Sequence, residues 1–332
     1  MEIERLNKSE STFVECKQFI DEWNNEMDYI IQKTSGSTGK PKEIQIKKSQ
    51  MIASAKATGE FFDMDNLNNV LLCISPSYIG GKMLIIRAIS YNLDIICAPI
   101  DNNPLKNLNS NVDFVSMVPL QVKETLEKNP EKFDLIKTVI IGGAPVQKDL
   151  TERLQDFETK FYSTYGMTET VSHIALKLLK NGNKKFKAVG HTYFEENKGN
   201  LVINAPHLGI KSLKTNDVVE LYDNKSFEWL GRSDFIINSG GVKVIPEKIE
   251  DELSGLLEPD TFLISSKKDK KLGERIILLT TYKDLDINNI KSYLLKKKFK
   301  YEIPKEIIVL RELIRLPNGK IDRLKNQKLI ES

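Results

Sequence analysis

Four short apolar runs constrain this chain more than anything else in it. Residues 70–75, 93–98, 114–118 and 138–141 are built largely from Val, Leu, Ile, Phe, Met, Cys and Ala. Runs of that length with little polar alternation suit strands covered on both faces. Helical patterning fills the segments between them, after Gly81 and over 119–127 and 147–157. Strands alternating with helices predict an α/β lobe of mixed, mainly parallel sheets. Ligands of such sheets bind beyond the carboxyl ends of the strands. Two of the runs end there in small residues. Tyr78, Gly80 and Gly81 fall in a predicted loop after the first run, and Gly142, Gly143 and Ala144 follow the last.

Upstream, the spacing of Phe13, Cys16, Phe19, Ile20 and Trp23 predicts a packing helix over 9–26. A short strand at 29–31 then delivers Thr34-Ser35-Gly36-Ser37-Thr38-Gly39-Lys40-Pro41-Lys42. Glycines let backbone N–H groups turn toward an anion, hydroxyls add neutral donors and lysines supply point charge. The stretch suits a polyphosphate. It is not a Walker A loop, which needs four residues between its first glycine and Gly-Lys, where Ser37 and Thr38 alone intervene. A flexible polar loop is the plain alternative. A strand over 43–46 and a helix from Ser49 follow. Farther on, Lys82 and Arg87 lie in an otherwise apolar helix. A cation there either snorkels to solvent or meets an anion, and the arginine fork suits a carboxylate.

A strand at 161–163 runs into Tyr165-Gly166-Met167-Thr168-Glu169-Thr170. Tyr165 could stack on a base, Thr168 donate to a phosphate and Glu169 hold Mg²⁺ against it. A helix N-terminus capped by threonine fits the same residues. Residues 188–230 read as β-rich. Asp217 opens a predicted strand there, as a turn residue or as an acceptor for both hydroxyls of a ribose. Gly231-Arg232-Ser233-Asp234 marks a boundary. Before it, 1–234 form an N-terminal lobe with a small β-rich part. After it, 235–332 form a small mobile α+β domain. That domain is expected to hold a turn with Gly240 and Gly241, helices at 246–257 and 285–298, and strands at 261–265, 275–282 and 306–310. Asn318-Gly319 marks a tight turn with Lys320 at its tip.

A length of 332 residues accommodates two such lobes. A net charge of +3 makes no case for nucleic acid. The charge is uneven, since 235–332 carry 20 Lys and Arg against 15 Asp and Glu. That basic surface could meet an anionic ligand or merely be solvated. Cys16, Cys73 and Cys97 fit neither a disulfide framework nor a zinc site. No apolar run reaches bilayer length and no signal-peptide pattern opens the chain. A cytoplasmic protein without membrane contact is expected.

Taken in order, TSGSTGKPK, YGMTET, the Thr-x-Asp at 215–217, the Gly-Arg-x-Asp at 231–234, the Ser-Gly-Gly at 239–241 and the Pro-x-Gly-Lys at 317–320 resemble the adenylate-forming superfamily of acyl-CoA synthetases, adenylation domains and luciferases. IGGKM, IRA, VDFVSMVPLQV, YGMTETVSHIAL and INSGGVK are similar to its o-succinylbenzoate–CoA ligases of menaquinone biosynthesis. Far fewer residues precede the loop than is usual in the superfamily, which implies a shortened variant. The resemblance implies ATP, Mg²⁺ and coenzyme A, with a small-molecule carboxylate as substrate. The carboxylate attacks the α-phosphorus and releases pyrophosphate; CoA thiolate then displaces AMP.

It also implies roles. Thr34, Ser35, Gly36, Ser37, Thr38, Gly39 and Lys42 would hold the β- and γ-phosphates. Gly142, Gly143, Ala144 and Tyr165 would form the adenine slot, with Gly166 beside it. Thr168 would touch the α-phosphate, Glu169 bind Mg²⁺, and Asp217 take the ribose hydroxyls with Arg232 nearby. Lys320 would bridge the attacking carboxylate and the α-phosphate. A turn about Asp234 would later withdraw it and bring Gly240 and Gly241 to a pantetheine tunnel. Arg87, with Lys82 as its stand-in, would meet a second substrate carboxylate. Tyr78, Gly80 and Gly81 would shape an aromatic pocket and His173 would hydrogen-bond the substrate, unless that histidine is structural. Other acyl- or aryl-CoA ligases and carrier-loading adenylation domains share the scaffold, as monomer or homodimer.

Overall fold

The computed structural model describes residues 1–6, 9–34, 42–316 and 321–331. The chain runs β1 (Ile3–Arg5), α1 (Glu10–Trp23), β2 (Tyr29–Thr34), β3 (Lys42–Lys47), α2 (Lys48–Phe62), β4 (Asn69–Leu72), α3 (Ile79–Tyr91), β5 (Asp94–Cys97) and β6 (Val112–Met117). Then come α4 (Pro119–Lys128), β7 (Ile136–Ile141), α5 (Lys148–Arg153), β8 (Lys160–Gly166), β9 (His173–Leu178), β10 (Phe186–Ala188), β11 (Tyr193–Asn197), β12 (Asn200–Ala205), β13 (Ile210–Asp223) and β14 (Ser226–Arg232). The remainder is β15 (Ile237–Ser239), β16 (Val242–Val244), α6 (Pro246–Leu253), β17 (Phe262–Asp269), β18 (Gly273–Thr280), α7 (Ile287–Lys296), β19 (Glu306–Val309) and α8 (Arg323–Glu331).

The apolar runs form the middle of a twelve-stranded sheet ordered β1-β5-β4-β6-β7-β8-β9-β10-β14-β13-β12-β11. Pairing is parallel from β1 to β8 and antiparallel from β9 onward. Successive side chains of a strand point to opposite faces, and both faces are covered here. Val70, Leu72, Ile95, Cys97 and Phe114 pack with Phe19 of α1, Met51 and Ala55 of α2, and Met83 and Ile86 of α3. Leu71, Ile96, Val115, Val139 and Ile141 pack with Val122 of α4 and Leu150 of α5 on the other face. Each such aliphatic side chain contributes about 1.5–3 kcal/mol by leaving water.

A second sheet, β16-β15-β18-β17 with β19 parallel to β18, begins at Ile237, five residues after β14 ends. Its own core joins Ile264, Ile276 and Leu278 to Ile249 and Leu253 of α6 and Ile290 and Leu294 of α7. Among the described residues the third sheet is the β2–β3 hairpin alone, with no ladder to either of the others.

Several expectations are corrected. α5 stops at Arg153 because Leu154 and Gln155 donate three residues back, to Thr151 and Glu152, tightening the turn. β1 and α8 had no clear sequence signal: β1 spans three residues with Glu4 and Arg5 exposed, and α8 is rich in charged and polar residues. No described helix is long and apolar enough to cross a membrane.

Candidate active site

The carboxyl ends of the parallel strands β7 and β8 carry Gly142, Gly143, Ala144, Tyr165 and Gly166, with Thr168 and Glu169 just beyond. Ile141 at the end of β7 pairs with Ser163 of β8, which sets Gly142 beside Thr164. A Cβ on Gly142 would lie 2.7 Å from the Thr164 hydroxyl oxygen, so only glycine lets these strands end this close. Gly143 follows with φ +83°, a conformation glycine adopts without strain. Tyr165 continues β8. Its hydroxyl donates to Asp217 (2.7 Å), and the Trp229 indole N–H donates to the other oxygen of that carboxylate (3.0 Å). Asp217 sits well inside β13 rather than opening a strand, because the Tyr165 and Trp229 partners hold it between neighbouring strands. Arg232 lies 3.8 Å from Asp217 and forks onto Asp234 (2.6 and 3.1 Å). A continuous polar chain therefore runs from Tyr165 through Asp217 and Arg232 to Asp234.

The segment after Tyr165 is not a helix start. Thr168–Thr170 make a single 3₁₀ turn, and the chain reverses into β9. Val171 makes the reversal at φ 65°, ψ −53°, and Ser172 N–H donates to Thr170 O across it (2.7 Å). This is a γ-turn of the rarer, strained hand, on a β-branched residue that disfavours positive φ. Gly166 makes room for it: a Cβ there would meet Ser172 O at 2.3 Å. Glu169 stands exposed on the 3₁₀ turn, with no bonding partner among the described residues.

The strained turn presents Ser172 and His173 to Arg87. Arg87 is 1% exposed, its Nη2 donates to Ser172 Oγ (3.0 Å), and its Nε has no partner. No carboxylate among the described residues pairs with it. Burial pulls the guanidinium down to about 9, so it remains charged at neutral pH. His173 is held well below its ordinary value by burial and by Arg87, and is neutral. Its Nε2 lies 3.0 Å from the Thr58 hydroxyl, which itself donates to Ser54 O. Thr58 therefore accepts, and Nε2 carries the proton. Ser172 and Thr58 were not singled out in the sequence. Ser172 lay within a quoted motif, whereas nothing marked Thr58 within its helix.

Other expected residues fall elsewhere. Gly80 and Gly81 belong to the first turn of α3 rather than a loop; a Cβ on Gly81 would lie 2.5 Å from the carbonyl oxygens of Ile74 and Ser75. Tyr78, just before α3, is 66% exposed. Lys82 neither snorkels nor joins Arg87: its Nζ donates to Ile31 O (3.1 Å) on β2. Gly240 and Gly241 make the two-residue turn of the β15–β16 hairpin, both at positive φ. Thr34 and Lys42 pair at the end of the β2–β3 hairpin. Ser35, Gly36, Ser37, Thr38, Gly39 and Lys320 lie outside the described residues. Arg315 and Ile321 form an antiparallel bridge.

A family model described as AMP-binding enzyme matches residues 2–198. The chain belongs to the AMP-binding enzyme family. Among curated relatives, the 2-succinylbenzoate–CoA ligase of Lactococcus lactis is 26% identical over 317 residues, covering 89% of this chain and 69% of that protein. That of Bacillus subtilis is 24% identical, over 98% and 73%. Among solved structures, an AMP-forming acyl-CoA synthetase/AMP-acid ligase II-like protein from Dyadobacter fermentans matches with TM-score 0.63 and 30% identity, covering 97% of this chain and 95% of its own. The B. subtilis o-succinylbenzoate CoA synthetase in complex with its acyl-adenylate OSB-AMP matches with TM-score 0.74 and 22% identity, over 90% and 68%, and shares the fold of this AMP-binding enzyme.

Proposed function

We propose that the chain is an ATP-dependent acid–CoA ligase that adenylates o-succinylbenzoate and passes the acyl group to CoA. One observation carries the choice of acid. Arg87 is a charged guanidinium removed from water with no acid among the described residues paired to it, and burying an unpaired charge is costly. A substrate carrying a second carboxylate supplies the missing partner. Ser172 aims the guanidinium, and neutral His173 adds no competing charge. The several relatives named 2-succinylbenzoate–CoA ligase agree with this reading.

In this reading Asp217 takes the ribose hydroxyls, with Tyr165 and Trp229 fixing its orientation. Gly142, Gly143 and Ala144 leave a flat slot for adenine, and Thr168 reaches the α-phosphate. Among the described residues no three His, Cys, Asp or Glu side chains gather for a metal. Mg²⁺ suits so sparse a site because it keeps waters and substrate phosphates as ligands, and the unpaired Glu169 can hold it by one carboxylate. Bound there, the ion would neutralise phosphate charge. Lys320 would add its cation at the attacking carboxylate during adenylation. Residues 1–234 and 235–332 would act as two lobes turning about Asp234.

Pyrophosphate release and CoA-thioester formation, measured with 2-succinylbenzoate and with simple aromatic monocarboxylates, test the proposal. Wild type should prefer the dicarboxylate. Arg87→Met should lose about 10²- to 10³-fold in kcat/KM on it, the scale of stripping one partner from a buried charge pair, and little on the monoacids. An equal loss on both acids would remove the second-carboxylate role. Absence of pyrophosphate release with every acid would remove the ligase reading.

A further inference from the structure

Lys82 is the least expected buried charge in the molecule. It lies in the second turn of α3, 6% exposed, among Met83, Leu84 and Ile85. Its ammonium points away from Arg87, five residues farther along the same helix. Nζ donates to the backbone carbonyl of Ile31 (3.1 Å), lies 3.9 Å from the Glu22 carboxylate on α1, and sits 5.3 Å from the centre of the Phe19 ring. Burial draws the ammonium below its usual value, and Glu22 opposes that pull.

Ile31 belongs to β2, and among the described residues β2 pairs with β3 and with no other strand. The hairpin therefore lacks the ladder that fixes every other strand. Its position against the lobe depends on side chains. Ile30 and Ile46 bury their inner faces in the core shared with α2 and α3. Gln32, 3% exposed, donates from Nε2 to Ser77 O (3.2 Å), just before α3, and to Lys33 O (2.9 Å). Apolar contact resists separation but is non-directional. Directional bonds set how far the hairpin slides along the helix, and two meet adjacent hairpin residues: Lys82 donates to Ile31 O, and Gln32 donates to Ser77 O.

We propose that Lys82 is a positioning residue for nucleotide: it fixes β2 against α3 and so sets where the Thr34–Lys42 end of the hairpin stands. Its cation serves the protein's own backbone rather than the acyl substrate. The same helix then has two separate duties, with Lys82 registering the hairpin and Arg87 facing Ser172 and His173. The inference rests on the ligase reading only in taking ATP as the molecule met at that end of the hairpin.

The test compares wild type, Lys82→Met and Lys82→Arg, first without acyl substrate and then in turnover with the dicarboxylate and a monoacid. ATP affinity is measured by calorimetry in the presence of Mg²⁺, and amide hydrogen exchange is followed across β2. Lys82→Met should weaken ATP binding about tenfold, the scale of one lost buried bond, and speed exchange at Ile31 and Gln32. Lys82→Arg, which keeps a charged donor, should recover most of both. The preference for a dicarboxylate over a monoacid should not change. Faster exchange with unaltered ATP affinity would overturn the proposal, because the contact would then be structural only. Loss of the dicarboxylate preference with intact ATP binding would overturn it by returning Lys82 to the substrate. Should Lys82→Met fail to fold, Glu22→Gln removes the nearby acid from a half-exposed position; it should weaken ATP binding about threefold, and no change would count against the idea. A wild type that binds ATP but activates no acid refutes the ligase reading alone. A wild type that binds no ATP refutes both.

Discussion

Glu250 has the most telling surroundings for pH of any single residue. It sits on α6 with one oxygen accepting from Ile264 N–H (2.7 Å) and the other paired with Arg323. Burial pushes its carboxyl up from 4.5 to about 7, outweighing the opposing pull of Arg323. A carboxyl whose folded value is raised binds its proton more tightly when folded. Its stabilising share is complete below about 4.5 and is lost as pH rises through about 7. Urea unfolding should therefore show up to about 3 kcal/mol less stability from this group at pH 8 than at pH 5, at 1.36 kcal/mol per unit. Glu250→Gln should flatten that part of the profile, and an unchanged slope would count against the assignment. Glu247 and Asp251 on the same helix are also raised by burial, so the variant should flatten the slope without abolishing it.

At the scale of elements, helix α3 tests packing most sharply. Gly81 faces the carbonyls of Ile74 and Ser75 at 2.5 Å from a built Cβ, whereas Gly80 meets only the Ile74 side chain at 3.8 Å. Gly81→Ala should cost about 1–3 kcal/mol by overpacking. Gly80→Ala should be neutral or stabilising by up to about 1 kcal/mol, as for glycine in a helix. Thermal melts of the two variants separate these outcomes. The same helix shows what the sequence carries and what it does not. Its apolar character and the strand before it were plain, because buried runs such as Val70-Leu71-Leu72 lack alternation. The partners of Lys82 and Arg87 were not plain, since Ile31 and Ser172 are fixed by hairpin and γ-turn geometry that no periodicity encodes. Thr58 was hidden for the same reason. Asp217 and Tyr165 were readable as polar residues near a ligand, but not as bonded partners, because β8 and β13 are not neighbours in the sheet.

Across the whole molecule, several ion pairs join the two large sheets and their helices. Lys148 meets Glu252 (3.1 Å), Lys123 pairs with Glu258, and Lys177 offsets the burial of Asp251. Partly exposed pairs contribute about 0–1 kcal/mol each, so they hold one orientation without locking it. The join itself is short. Asp234 accepts from Arg232 and from Asn216 Nδ2 (2.9 Å) within a single 3₁₀ turn, and Gly231 beside it leaves no room for a Cβ against Ile245 and Glu247. If the lobes turn there, Asp234→Pro, which fixes φ, should spare pyrophosphate release and lower thioester formation about a hundredfold, the scale of a small misplacement of reacting groups. Rapid-quench assays of the two steps read this directly; equal loss of both would argue against a pivot at Asp234.

The bend at Val171 is disfavoured by its own side chain, so relaxation there is locally downhill. Several bonds keep it wound: Ser172 N–H donates to Thr170 O, Thr170 Oγ1 to Ser172 O (2.8 Å), Val171 N–H to Thr168 O (3.0 Å), and Arg87 Nη2 to the Ser172 hydroxyl. A pull felt at Glu169 would act three residues along the backbone from Ser172, the one hydroxyl among the described residues that accepts from Arg87.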